Sequence, residues 1–273
     1  MVSNDSNKAC KTCGDEADSS EKNPQENVKC CVAVMSGKGG VGKSLVTGLL
    51  AVALRNAGHK VGILDADLTG PSIPKMFGIK KKATGTGGKI LPIESSNGIK
   101  IMSLNLLLDK EDDAVIWRGP IIAGAIKQFW TDVAWGDLDC LLIDLPPGTA
   151  DAPLTVMQSI PLDGVVVVSS PQDLAVMIVK KALQMVRKLN IPILGIVENM
   201  SYAHCPKCGE KINFFGKSNI GEITKDYDVD ILAEIPIDTQ IANLCDKGKI
   251  ESYDVGLLSK AKDVLEKALK GKK

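Results

Sequence analysis

An apolar run, Cys31-Val32-Ala33-Val34-Met35, leads into Gly37-Lys38-Gly39-Gly40-Val41-Gly42-Lys43-Ser44, and a second apolar run from Leu45 to Leu54 leaves it. Few features constrain a fold more. The first run predicts a buried strand and the second a helix, so the glycine-rich stretch must turn the chain sharply between them. The octet fits G-x-x-x-x-G-K-[ST], a phosphate-binding loop. Its glycines let the backbone approach phosphates closely. The N–H groups at the helix start and the helix dipole then favour negative charge there. Lys43 is placed to reach the β- and γ-phosphates of a nucleotide such as ATP, and the Ser44 hydroxyl to ligate Mg²⁺.

From Cys30 onward the same alternation repeats, which predicts an α/β fold in three layers, a mostly parallel sheet flanked by helices. Strands are expected at Val61–Leu64, Cys140–Ile143, Val165–Val168, Ile193–Val197 and Ile231–Ile235. Helices are expected at about Lys43–Asn56, Ile121–Trp135 and Leu174–Leu189. Residues 80–103 read as a surface excursion with short strands. Residues 1–28 are polar and read as a flexible tail, leaving 29–273 as one phosphate-loop domain. The 273 residues carry no formal net charge, so no nucleic-acid role is expected. No apolar run approaches a membrane span and the N-terminus lacks a signal-peptide pattern, which predicts a cytoplasmic protein. Leu257–Lys273 has apolar residues at helical spacing under a lysine-rich face. It reads as a helix docked on the sheet, with membrane binding as the alternative.

Asp144 ends an apolar strand and runs into Leu145-Pro146-Pro147-Gly148-Thr149, a pattern that sets a carboxylate beside the phosphate loop, within reach of a Mg²⁺ hydration shell. Asp65 and Asp67 end the second strand, where carboxylates can serve the γ-phosphate region. Cys205-Pro206-Lys207-Cys208-Gly209 is a stiff turn that presents two thiolates on one side. Two sulfurs are too few for a tetrahedral zinc or a four-iron cluster. A second subunit, His204 or another cysteine pair must complete the set, unless the turn is half a zinc knuckle or a redox pair. Cys140 and Cys245 read as core or structural thiols.

Lys38 is a second lysine at the second position of the loop. This resembles the deviant loop K-G-G-x-G-K-[ST] of the MinD/ParA/nitrogenase-iron-protein ATPases, and implies a homodimer in which Lys38 reaches the partner's nucleotide. By the same resemblance Asp67 orients the attacking water, Asp65 supports Mg²⁺ and the switch, and Asn199 hydrogen-bonds the adenine edge. More specifically, the loop, the run Asp65–Pro74, Trp117-Arg118-Gly119-Pro120, Asp144–Thr149 and Asn199-Met200-Ser201-Tyr202 ahead of the cysteine turn at 200–216 are together similar to the Mrp/ApbC family. That resemblance covers roughly residues 30–250. It implies a dimeric ATPase that bridges a labile [4Fe–4S] cluster through Cys205 and Cys208 of both subunits. Such a carrier exchanges the cluster with assembly scaffolds and apo iron–sulfur proteins. Eukaryotic cytosolic relatives hold a second cluster on an N-terminal four-cysteine motif. Cys10, Cys13, Cys30 and Cys31 do not match its spacing. A positioning ATPase of the MinD/ParA kind would share the loop without needing the cysteines. An electron-transfer ATPase like the nitrogenase iron protein would use cysteines far apart in sequence.

Overall fold

The computed structural model describes residues 27–67, 72–106, 119–216 and 218–271. Cys10, Cys13, Trp117, Arg118 and residues 68–71 of the run after Asp67 lie outside them.

The first strand, β1 (Val28–Ser36), passes through the phosphate loop into α1 (Lys43–Asn56), which returns to β2 (Val61–Asp65). The short α2 (Ser72–Met76) precedes an antiparallel ribbon of β3 (Thr84–Thr86) and β4 (Lys89–Leu91), then β5 (Ile93–Glu94) and β6 (Lys100–Ser103). There follow α3 (Gly119–Asp132), β7 (Leu138–Asp144), α4 (Asp151–Ser159), β8 (Gly164–Ser169), α5 (Asp173–Lys188) and β9 (Ile193–Asn199). A small hairpin, β10 (Ala203–His204) and β11 (Lys211–Ile212), leads to α6 (Ile220–Tyr227), β12 (Ile231–Ile235), α7 (Thr239–Asp246) and α8 (Ser259–Lys270).

Eight strands form one sheet in the order β12-β9-β8-β1-β7-β2-β6-β5. All pair in parallel except β5 with β6. Side chains alternate across a strand, so β1 feeds two cores. Cys30, Val32 and Val34 pack towards α1, α2, α7 and α8, whereas Cys31, Ala33 and Met35 pack towards α3, α4, α5 and α6. A strand covered on both faces must be apolar throughout, as the chain around Cys31–Met35 is. Helix α1 is itself sandwiched, and every residue from Val46 to Leu54 is buried. Helix α8 docks through Ala261 and Leu265, both 0% exposed, with Val264, Ala268 and Leu269 half-buried beside them. Its apolar face is therefore spent on the core. No helix among the described residues is long and apolar enough to cross a membrane.

Two expectations need correction. Residues 99–102 are not part of a surface excursion. Ile99, Ile101 and Met102 are fully buried because β6 extends the main sheet beside β2. The helix expected to run to Trp135 ends at Asp132, because Ala134 donates its N–H to the Ile90 carbonyl and Val133 bridges to Ile90. Trp135 is 0% exposed and fills the core from outside the helix.

Candidate functional site

The site forms where β1, β2 and β7 end together, at the carboxyl edge of a parallel sheet where such folds bind ligands. Gly40 and Gly42 both sit at φ 78°, the left-handed region that glycine enters without steric cost. Gly42 is the N-cap of α1, with Val46 donating its N–H to the Gly42 carbonyl at 3.0 Å. Gly37 meets a different demand, since a Cβ there would lie 2.2 Å from Ile178 Cγ2 on α5. Gly39 and Gly40 are exposed, leaving the mouth of the loop open.

Lys43 is buried and points into a set of carboxylates. Its Nζ lies 2.9 Å from Asp144 Oδ1 and 3.3 Å from Asp67 Oδ2. Ser44 Oγ donates to Asp144 Oδ2 at 2.5 Å, and Thr47 Oγ1 donates to Asp144 Oδ1 at 2.8 Å. Asp65 and Asp144 are register partners on β2 and β7. Burial pushes the Asp144 carboxyl up, against the pull of Lys43 and the Ser44 and Thr47 hydroxyls. Burial, then the neighbouring Asp144, push Asp65 well above the carboxylate range, opposed by the Ser103 hydroxyl at 2.9 Å and by Lys43. The predicted Lys43, Ser44, Asp65, Asp67 and Asp144 are thus brought together. Among the described residues no group of three or more His, Cys, Asp or Glu side chains is arranged to hold a metal ion. A Mg²⁺ ion takes oxygen ligands, one or two of them from protein, with waters and phosphate oxygens completing the shell. The Ser44 hydroxyl and the Asp144 carboxylate, 2.5 Å apart, fit that demand.

Lys38 is half-buried, its Nζ donating to the side chain of Gln172 just before α5. Asn199 is 2% exposed and donates from Nδ2 to the Val41 carbonyl at 2.9 Å, across 158 residues of sequence. A Cβ on Gly42 would meet that same Nδ2 at 2.2 Å. Asp238 caps α7 by accepting from Gln240 N–H at 2.7 Å. It also accepts from the Tyr253 hydroxyl, whose pKa burial, first, and then Asp238 push to about 12.

Beyond β9 the cysteine hairpin projects outward. Ala203 pairs with Ile212, and His204 with Lys211. Cys205 N–H donates to the Glu210 carbonyl, and Gly209 N–H to the Cys205 carbonyl, both at 2.8 Å. The backbone N–H groups of Cys208 and Lys207 point at the Cys205 sulfur and draw its thiol below the ordinary value. Such donors stabilise a thiolate whether free or bound to metal. Cys205 is half-buried and Cys208 exposed, whereas Cys30, Cys31 and Cys140 are buried in the sheet. The His204 ring is turned to the Gly209 carbonyl, Nδ1 to O 3.0 Å. Thr47, Ser103, Gln172 and Glu198 went unnoticed in the sequence. Only Thr47 carried a signal, standing one helical turn after Lys43 on the same face.

Loop, carboxylates and sheet order define a P-loop NTPase of the MinD/ParA-like fold. The model of the ParA group described as NUBPL iron-transfer P-loop NTPase matches residues 27–269, and the chain belongs to that family. It is 46% identical over 235 residues to the iron-sulfur cluster carrier protein of Clostridium perfringens, covering 83% of this chain and 82% of that protein. Identity to the cytosolic Fe-S cluster assembly factor CFD1 of Chaetomium globosum is 46% over 253 residues, covering 87% and 84%. The nucleotide-binding protein of Archaeoglobus fulgidus in complex with ADP superposes with a TM-score of 0.77 at 47% identity, covering 85% of this chain and 92% of that one. The cell division ATPase MinD of Pyrococcus furiosus, at 23% identity and a TM-score of 0.61, shares the fold.

Proposed function

We propose that the chain is an ATP-hydrolysing homodimeric carrier, cytoplasmic, that holds a labile [4Fe–4S] cluster and passes it to apo-proteins. The observation that carries this reading is the exposed cysteine turn. Cys208 is exposed and Cys205 half-buried on a stiff loop, and no third ligand is arranged beside them among the described residues. A second copy of the chain supplies the missing pair, giving four thiolates to one cluster. The relatives' names, an iron-sulfur cluster carrier and a cytosolic Fe-S assembly factor, support the same cargo. Exposure favours release, since a cluster held at the surface is open to an acceptor's thiols.

The roles at the hydrolytic end follow the loop motif and the family resemblance, and the clustering of Lys43, Ser44, Asp67 and Asp144 supports them. Lys43 turns from the carboxylates to the β- and γ-phosphates, with the backbone of Gly37–Gly42 cradling the rest. Ser44 and Asp144 hold Mg²⁺, which neutralises charge on the phosphate oxygens when bound, and Asp65 supports them from the adjacent strand. Asp67, 15% exposed at the mouth, orients the attacking water. Lys38 leaves Gln172 for the partner's nucleotide. Asn199 exchanges the Val41 carbonyl for the base edge.

Anaerobic reconstitution with iron and sulfide tests the reading. The expected product holds one [4Fe–4S] centre per dimer, near two irons per chain, and activates an apo iron–sulfur enzyme. Protein isolated without oxygen that holds zinc and no sulfide would sink it.

A further inference from the structure

We propose that Glu198 is a positioning residue for the cysteine turn: its buried carboxylate fastens both ends of the hairpin, through Ser201 where the chain enters and Ser218 where it leaves. Glu198 is the penultimate residue of β9 and is 2% exposed. Its Oε2 accepts from Ser201 Oγ at 2.7 Å, and its Oε1 accepts from Ser218 Oγ. Ser218 Oγ in turn accepts from the Ile220 N–H at 3.2 Å, so the exit arm runs into the first turn of α6. On the entry side Ser201 N–H donates to the Ile235 carbonyl at 3.0 Å.

The excursion has few other anchors: the Tyr202 carbonyl accepts from the Ile237 N–H at 2.6 Å, and Lys211 lies over the Tyr202 ring and pairs with Glu234 at 3.4 Å. Its two strands are two residues each, and a two-stranded hairpin of that size is not stable alone. Ala203 is buried, but Ile212, Phe214 and Phe215 are exposed, so little apolar burial holds it down. Closing a loop costs entropy whatever its contents, and one carboxylate with two oxygens satisfies both ends at once. Glu198 and Asn199 are adjacent on a strand and face opposite sides of the sheet. The end of β9 therefore clasps the phosphate loop with one residue and the cysteine hairpin with the next. The identity of what the thiols hold rests on the carrier reading, whereas the fastening itself does not.

Ser218→Ala and Ser201→Ala each cut one arm, and Ser218→Thr keeps the hydroxyl. Two measurements on the full chain read them. Hydrogen exchange of the 203–212 amides is expected to accelerate at least about tenfold in either alanine variant, with β1 and β7 amides unchanged. Cd(II), followed by its thiolate charge-transfer band, is expected to bind about tenfold more weakly to either alanine variant and as wild type to Ser218→Thr. Unchanged exchange in both alanine variants overturns the proposal, as does faster exchange with unchanged Cd(II) affinity. Should Ser218→Ala fail to fold, Ser201→Ala decides by the same two readings. A wild-type chain that assembles no iron–sulfur cluster, while exchange and Cd(II) respond as expected, removes the carrier reading and leaves the positioning role standing.

Discussion

The C-terminal end of β9 adjoins two unlike constructions. The phosphate loop is backed by a helix buried from Val46 to Leu54, and Asp144, at 0% exposure, accepts from Lys43, Ser44 and Thr47. The cysteine hairpin has two short strands, exposed side chains and a clasp at its base. The first is rigid: buried packing fixes the helix behind the loop, and Lys43 has only to change partners to meet a phosphate. The second spends almost no burial on holding its shape. A site that must let its cargo go gains from that economy, while a site that must do chemistry gains from rigidity.

The comparison predicts separable failures. The largest effect is expected from Cys205→Ala or Cys208→Ala. The broad absorption near ~400 nm of reconstituted protein should vanish with transfer activity, while nucleotide affinity, by calorimetry, stays within about twofold. If nucleotide affinity falls with the cluster, the two ends are not independent. Next is Lys43→Ala, expected to weaken ATP binding about 100-fold or more, a loss of about 3 kcal/mol, with cluster loading retained. Asp67→Asn should bind ATP normally and lower kcat about tenfold or more, since only the water-orienting carboxylate changes. Equal loss of binding would move Asp67 into structural support. Lys38→Ala should lower turnover several-fold in the dimer and leave binding to the monomer unchanged; wild-type turnover refutes its role across the interface. The smallest effect belongs to Thr47→Val. It removes one of several donors to Asp144 and should cost about 1–2 kcal/mol, a drop of a few degrees in Tm by calorimetry.

Much of the nucleotide end was legible because its motif is contiguous. Eight residues in a row specify the turn, the anion site and the helix start, and the strand-end aspartates follow from parallel topology. What escaped depends on register between distant segments. Ser103 reaches Asp65 only because β6 joins the sheet beside β2, a pairing that the short apolar run at Ile99–Met102 did not announce. Trp135 looked helical by spacing, yet hydrogen bonding to the Ile90 carbonyl ends α3 earlier. Glu198 reads as an ordinary acidic residue at a strand end until Ser201 and Ser218 are seen to converge on it. The cysteine turn itself was plain in the sequence, whereas the N–H donors to the Cys205 sulfur emerge only from the folded loop.

The ion pairs of Lys43 have a further consequence. Its ammonium sits among Asp144 and Asp67, so the acids at the strand ends have a partner within the chain. Breaking a buried pair by removing one partner is costly, and here the partner is built in. Phosphates at the loop must therefore compete with the protein's own carboxylates for that lysine. Nucleotide affinity is thus a difference between two well-satisfied states, which leaves it open to tuning by whatever shifts Asp67 or the strand ends around it.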